Sequence, residues 1–254
     1  MTEVDQRDKY GFCDPKNTLN EFQHDQLHVW CPMGAVFSIF SFYQRLLQFV
    51  RQTWAGNTQI PVEDLEMTVI RCKPDGIDAL CRTTKFTKKE LKLMYQGFKQ
   101  ACPTGIVNEN TFKDIYAQFF PHGETGPYAH YVFKAFDRDR NGTISFQDFV
   151  VGLSALTRGT TLEKLQWTFN LYDINGDGCI SREEMCEIIM AVYSLMGNFA
   201  EPSVDKTSAR EHSERVFQRL DKNKDGVVTF DEFVDTCIKD ENMMKSINLL
   251  DTIL

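Results

Sequence analysis

The stretch DINGDGCISREE, residues 173–184, places oxygen-bearing side chains at its first, third, fifth, ninth and twelfth positions and a glycine at its sixth. The same spacing recurs in DRDRNGTISFQD, residues 137–148, and in DKNKDGVVTFDE, residues 221–232. A hard divalent cation takes about six to eight oxygen ligands, and this spacing wraps a short loop around one ion. Three matches along one chain therefore predict calcium-binding loops.

Composition and charge limit the class of protein. The 254 residues, 42% of them hydrophobic, allow one or two globular domains. A net charge of -8 disfavours nucleic acid as a partner, because binding phosphates requires a concentrated basic surface. The eight cysteines include no C-x-x-C pair, and Thr2 stands where N-myristoylation requires glycine. We expect a cytoplasmic protein with reduced thiols.

The loops belong to a longer repeat. Their central glycines, Gly142, Gly178 and Gly226, lie at comparable intervals, and a similar step back reaches Gly105 within a degenerate loop at residues 100–111. Apolar residues at helical spacing flank each loop, which predicts a helix–loop–helix unit. The sequence thus predicts four such units.

The predicted fold is all-α, with four EF-hands in two paired lobes. EF-hand units pair through a short antiparallel bridge at loop position 8, here Val107 with Ile144 and Ile180 with Val228. The predicted lobes are residues 67–156 and residues 157–254, the second ending in a C-terminal helix. Residues 1–66 form a leader whose apolar segment, residues 29–54, follows a helical period.

The four loops differ in their ligands. The third and fourth loops are complete and are predicted to bind calcium through Asp173, Asn175, Asp177, Cys179, Ser181, Glu184, Asp221, Asn223, Asp225, Val227, Thr229 and Glu232. The second loop ends in an aspartate, one methylene shorter than glutamate, so we predict magnesium or weak calcium at Asp137, Asp139, Asn141, Thr143 and Asp148. The first loop has Cys102 and Pro103 at positions 3 and 4 and Thr111 at position 12, and should be empty.

Catalytic motifs are missing from the sequence. It contains no G-x-S-x-G elbow, no phosphate-cradling loop and no H-E-x-x-H. The five histidines have no spacing typical of a zinc site. We therefore expect a regulatory protein and no enzyme.

Several segments resemble the neuronal calcium sensor family, and the Kv-channel-interacting branch most. They are FTKKELKLMYQGF at 86–98, CPTG at 102–105, YAQFF at 116–120, FVVGL at 149–153, FNLYDIN at 169–175 and KDEN at 239–242. The resemblance covers roughly residues 63–254. It implies an auxiliary subunit that binds the N-terminal helix of A-type voltage-gated potassium channels in an apolar groove, modulating gating and surface expression. It also implies a peripheral place at the plasma membrane and oligomers on the tetrameric channel.

The resemblance also suggests partner-binding residues. Phe112, Tyr116, Phe120 and Phe149 would line the groove, while Ile77, Tyr95 and Lys99 would touch a neighbouring channel subunit. The alternative for each is a place in the core. An apolar stripe of Met243, Ile247, Leu250 and Leu254 predicts a helix that occupies the groove until a partner displaces it.

Two questions stay open at this level. The apolar segment at residues 29–54 either lies on a membrane, helped by acylation of Cys31, or folds back onto the protein's own groove or body. The chain could instead be a sensor that regulates a kinase or other enzyme at the membrane, or a passive calcium buffer.

Overall fold

A computed structural model describes residues 76–119, 123–196 and 206–241, together with residues 243, 244 and 247. The predictions made for the leader at residues 1–66, for Phe120, and for Leu250 and Leu254 lie outside these residues.

The described residues are mostly helical. Within them nine helices follow one another: α1 (Gly76–Thr83), α2 (Lys88–Ala101), α3 (Glu109–Phe119), α4 (Gly126–Phe136), α5 (Phe146–Arg158), α6 (Thr161–Tyr172), α7 (Arg182–Met196), α8 (Lys206–Leu220) and α9 (Phe230–Lys239). Helices α2 to α5 flank the first two loops, and helices α6 to α9 flank the last two. The all-α architecture is the one predicted from the sequence.

Two short antiparallel sheets pair the loops. Strands β1 (Ile106–Asn108) and β2 (Thr143–Ser145) join the first loop to the second, and β3 (Cys179–Ser181) and β4 (Val227–Thr229) join the third to the fourth. Val107 lies opposite Ile144, and Ile180 opposite Val228, as predicted. All four side chains are buried, so each bridge also fixes an apolar contact between its two loops.

Capping boxes set where several helices begin. In α2, α5, α6 and α9 an N-cap hydroxyl accepts a hydrogen bond from the backbone N–H of an acidic residue three positions on. The carboxylate of that residue accepts a hydrogen bond from the N-cap backbone N–H. The pairs are Thr87–Glu90, Ser145–Asp148, Thr160–Glu163 and Thr229–Glu232. Each cap contributes about 1 kcal/mol, and two of them also end a predicted metal loop.

Aromatic side chains fill the interior of the first lobe. The Phe112 ring meets Phe133 edge-on with centroids 5.8 Å apart, and Phe136 packs against Phe149 at 6.0 Å. Phe136 also meets Trp167 of α6 edge-on at 5.6 Å. The aromatic core therefore continues from the first lobe into the second.

Helix α4 joins the two lobes, since it packs against α6 and α7. Ahead of it, the backbone N–H of Glu124 donates to the carbonyl oxygen of Ser194 at 3.1 Å. Gly123 approaches so closely that a Cβ there would lie 1.8 Å from the carbonyl oxygen of Leu195. A glycine is thus required where the chain crosses the end of α7.

Arg158, at the end of α5, holds the start of α2. Its guanidinium donates to Glu90 Oε1 at 2.5 Å and to the carbonyl oxygen of Lys85 at 2.6 Å, and stacks over the Phe86 ring at 4.6 Å. The Glu90 pKa falls from 4.5 to about 2, chiefly because of the Arg158 hydrogen bond.

Among the described residues, no helix is long and apolar enough to cross a bilayer.

Candidate metal-binding loops

The second, third and fourth loops share one backbone path. Position 4 has a positive φ in each, 54° at Arg140, 73° at Gly176 and 61° at Lys224. A side chain in this region costs about 1–2 kcal/mol, so Arg140 and Lys224 are held there by the rest of the loop. The path points the amide of the position-6 glycine at the aspartate in position 1, with N–O distances of 2.8, 3.0 and 3.2 Å in the second, third and fourth loops.

Side-chain oxygens of the third loop are held by its backbone amides. Asp173 Oδ1 accepts hydrogen bonds from Gly176 at 2.7 Å and Asp177 at 3.1 Å. Asn175 Oδ1 accepts from Asp177 at 2.8 Å, and Asp177 Oδ1 accepts from Cys179 at 2.9 Å. The three predicted side-chain ligands are therefore oriented by the loop itself.

Glu184, at position 12, links the end of the third loop to its beginning. Its Oε2 accepts from the backbone and hydroxyl of Ser181 at 2.9 and 2.8 Å, whereas its Oε1 accepts from the backbone N–H of Asn175 at 3.1 Å. In the fourth loop Glu232 likewise accepts from Thr229 and from Asn223. The hydroxyls of Ser181 and Thr229 cap the helices that follow them, so each residue would contact a metal ion through a bridging water molecule.

The fourth loop contains a buried oxygen that needs a partner. Asp221 is only 4% exposed, and its Oδ1 has no hydrogen-bond partner. Burying a carboxylate oxygen is unfavourable unless it is paired or coordinates a metal. The hydrogen bonds from Thr229, above all, lower the pKa of Glu232, which favours its ionised form. These oxygens fit a hard divalent cation.

The second loop closes differently. Asp148 Oδ2 accepts from the backbone and hydroxyl of Ser145 at 3.0 and 2.5 Å, and its hydrogen bonds go to Ser145 alone, without reaching position 3 as Glu184 does. Burial raises the pKa of Asp137, and the neighbouring Asp139 raises it further. A cation would favour the ionised form of both carboxylates, but the short Asp148 side chain leaves the loop with a poorer ligand set.

The first loop is blocked at position 4. Pro103 has a φ fixed near -65°, so the loop cannot follow the path of the others, although Gly105 keeps a positive φ of 83°. The Lys99 ammonium donates to the Pro103 carbonyl oxygen at 2.5 Å and lies 3.7 Å from the place of a Cβ on Gly105. A side-chain cation therefore already occupies this loop, while Thr111 offers no carboxylate at position 12.

The predicted ligand sets mix carboxylates with amide and carbonyl oxygens. In the part of the chain that the structure describes, no three histidine, cysteine, aspartate or glutamate side chains converge into a metal cluster of their own. The carboxylates of a predicted loop, such as Asp173, Asp177 and Glu184, therefore do not meet as a preformed cluster in this structure.

Two overlapping stretches of the chain, residues 127–190 and 162–237, match the family described as the EF-hand domain pair. The helix–loop–helix units within these stretches are EF-hands. The first match holds the second and third loops, and the second match holds the third and fourth. EF-hand domains are calcium-binding domains, so the calcium chemistry predicted from the loop spacing is confirmed at the level of the domain. The degenerate first loop, at residues 100–111, precedes both matches.

The predicted groove residues lie in the hydrophobic core. Phe112, Tyr116 and Phe149 are 4%, 0% and 7% exposed. A partner would reach these rings only if the surrounding helices moved apart, so their role in binding stays a prediction. Of the second predicted surface, Ile77 and Tyr95 are partly buried, and Tyr95 meets Phe146 edge-on at 5.0 Å.

Three structural features were not predicted from the sequence. Nothing in the sequence indicates that Arg140 contacts the third loop or that Asp221 Oδ1 is unpaired. Lys164, only 2% exposed, donates to the carbonyl oxygen of Ile247 at 3.4 Å. Neither Lys164 nor Thr168, which are buried one turn apart on α6, is of a residue type that signals burial in the sequence.

Proposed function

We propose that this EF-hand protein is a calcium-sensing auxiliary subunit of A-type voltage-gated potassium channels. The third and fourth EF-hands bind calcium, the second takes magnesium or weak calcium, and the first is empty. The observation that carries the sensing role is the contact from Glu184 to Asn175, which Asp148 does not reproduce. The channel as partner is supported by the resemblance of the six sequence segments.

Calcium acts through the position-12 glutamates. When Glu184 and Glu232 turn their carboxylates to the ion, the first turns of α7 and α9 follow, because the same carboxylates cap those helices. EF-hand sensors answer calcium by opening a pair of helices over an apolar groove. In this protein such opening gives a channel helix access to rings such as Phe112 and Phe149, which are otherwise buried.

The C-terminal segment competes with the partner. Met243 and Ile247 are 1% and 3% exposed, and the Lys164 ammonium donates a hydrogen bond to the carbonyl oxygen of Ile247. A channel helix displaces this segment when it binds. Deleting residues 243–254 should therefore strengthen binding of a channel peptide, and unchanged affinity would contradict this step.

A peptide-binding experiment tests the function. The full chain is captured on an immobilised peptide of the N-terminal helix of an A-type channel, with calcium and with chelator, beside the double variant Glu184→Gln/Glu232→Gln. A matched control, Glu183→Gln, removes a charge from the residue next to Glu184. We expect calcium to strengthen capture of the wild type and the control, and not of the double variant. Absence of capture in both conditions overturns the channel proposal.

A hydrophobic-surface dye separates sensing from buffering in the same samples. A sensor opens and binds more dye as calcium rises, whereas a buffer barely opens. Dye binding without peptide capture would direct the search to another target, such as a kinase regulated at the membrane. We place the protein in the cytoplasm, at the plasma membrane through its channel, and the cellular distribution with and without the channel tests this placement.

A further inference from the structure

Arg140 belongs to the second EF-hand, yet its side chain ends on the third. Its Nη1 donates to the backbone carbonyl oxygen of Asn175 at 3.2 Å. Its Nη2 lies 1.7 Å from the place where a Cβ on Gly176 would stand. The guanidinium therefore uses the space that glycine leaves at position 4 of the third loop, and a side chain there would displace it.

The guanidinium rests on the backbone that carries the predicted ligands of the third EF-hand. Asn175 and Asp177 flank Gly176, whose own amide donates to Asp173 Oδ1. An arginine keeps its positive charge at any pH at which the protein is folded. In the fourth EF-hand, within the described residues, no side chain is hydrogen-bonded to the position-3 carbonyl oxygen of Asn223. Among the described residues, the third loop therefore has a cation from the other lobe on its position-3 carbonyl oxygen, and the fourth loop does not.

We propose that Arg140 lowers the calcium affinity of the third EF-hand from across the lobe junction. The inference rests on the proposed calcium binding by that EF-hand. A fixed positive charge repels an incoming divalent cation, and dissolved salt screens this repulsion. The second EF-hand thereby sets the calcium concentration to which the third responds, while the fourth is untouched.

The position-6 glycine amides give a separate readout for each EF-hand. Those of Gly178 and Gly226 are hydrogen-bonded to the first aspartate of their own loops, so their NMR shifts report on the third and fourth sites. Glycine-labelled full-length wild type, Arg140→Gln and Arg138→Gln are titrated in calcium–chelator buffers. Arg138 is the matched control, because it is an exposed arginine of the same loop without a hydrogen bond to the third loop.

The expected result is specific to one site and to one charge. Arg140→Gln should lower the calcium midpoint at Gly178 about three- to tenfold at low salt, the range expected for one nearby charge. Arg138→Gln should change this midpoint less than about twofold, since Arg138 is exposed and its charge acts on the third site only through solvent. The gain in calcium affinity from Arg140→Gln should disappear near 1 M salt, where the screening length is about 3 Å. The midpoint at Gly226 should stay the same.

A second variant tests the contact and keeps the charge. Gly176→Asn retains a residue that tolerates positive φ but fills the space of the guanidinium. It should raise the affinity at the third site as Arg140→Gln does, and the double variant should add little, because both changes remove one interaction. Arg140→Lys keeps the charge and should leave the calcium midpoint at Gly178 near that of the wild type.

The outcomes distinguish the role of Arg140 from calcium binding by the third EF-hand itself. Equal midpoints at Gly178 for Arg140→Gln and Arg138→Gln, in a wild type that does respond to calcium, overturn the role of Arg140 alone. A gain that appears at Gly226 as well overturns its site specificity. If Gly178 does not respond to calcium in the wild type, the proposed calcium site itself is wrong, and the role of Arg140 falls with it.

Discussion

Glu184 Oε1 accepts a hydrogen bond from the backbone N–H of Asn175 at 3.1 Å, so the last residue of the third loop closes onto its third residue. Glu232 makes the same closure with Asn223 at 3.3 Å. The carboxylate of Asp148, one methylene shorter, goes to Ser145 only. The length of one side chain therefore distinguishes the third and fourth loops from the second loop.

Lengthening this side chain should convert the second loop. In Asp148→Glu the carboxylate reaches into the loop, and a further charge-assisted ligand contributes about 1.5 kcal/mol or more. We expect calcium affinity at the second EF-hand to rise about tenfold and competition by magnesium to weaken. The Gly142 amide, which donates to Asp137, reports on this site in an NMR titration.

Asp231→Glu provides the control for that change. Asp231 is exposed in the fourth loop and receives the same added methylene, so the midpoint at Gly142 should not move. If Asp148→Glu left the calcium and magnesium affinities of the second EF-hand as they are in the wild type, position 12 would not be what limits this loop.

The clasp, the hydrogen-bonded ion pair between Glu90 and Arg158, should make the stability of the fold depend on pH. Because the folded pKa of Glu90, about 2, is below the unfolded value near 4.5, its contribution is complete above pH 4.5 and disappears as the pH falls towards 2. Glu90→Gln should lower the free energy of unfolding by about 1 kcal/mol at neutral pH, since the pair is partly exposed and screened.

Chemical denaturation in chelator at several pH values measures that contribution. The difference between wild type and Glu90→Gln should shrink below pH 4.5, whereas Glu211→Gln, which removes an exposed charge on α8, should change stability little. A difference that stays constant down to acid pH would show that the clasp does not act through the charge of Glu90.

Two glycines three residues apart test the lobe junction. In Gly123→Ala the new Cβ meets the carbonyl oxygen of Leu195 at 1.8 Å, and a backbone atom cannot step aside. We expect a loss of about 1–3 kcal/mol, as for other overpacked sites. In Gly126→Ala the Cβ meets no atom within 4 Å, so stability should stay the same or rise slightly.

Thermal unfolding of the two variants side by side measures this difference. Equal melting temperatures would mean that residues 123–124 do not hold the first lobe against the end of α7.

The sequence was sufficient for features that depend on local chemistry. Loop spacing fixed the register of the bridges, since an apolar residue at position 8 such as Ile180 faces its counterpart Val228. Capping pairs such as Thr229 and Glu232 are equally local, since the hydroxyl and the carboxylate stand three residues apart at the start of a helix. Both signals lie within a few residues of the structure that they predict.

Features that depend on two distant segments could not be predicted. The reach of Arg140 to Asn175 and the tight passage of Gly123 past Leu195 arise only when the lobes pack. Apolar periodicity also cannot separate a groove from a core, because both require rings at helical spacing. Phe112 and Tyr116 were expected along a groove and are buried in this structure.

The graded set of EF-hands is tested most directly by counting calcium ions. Native mass spectrometry of the full chain in calcium with excess magnesium is compared for wild type, Glu184→Gln, Glu232→Gln, their double variant and the control Glu183→Gln. We predict two calcium ions on the wild type and the control, one on each single variant and none on the double variant. A wild type with one or three calcium ions, or a double variant that keeps two, would contradict the account.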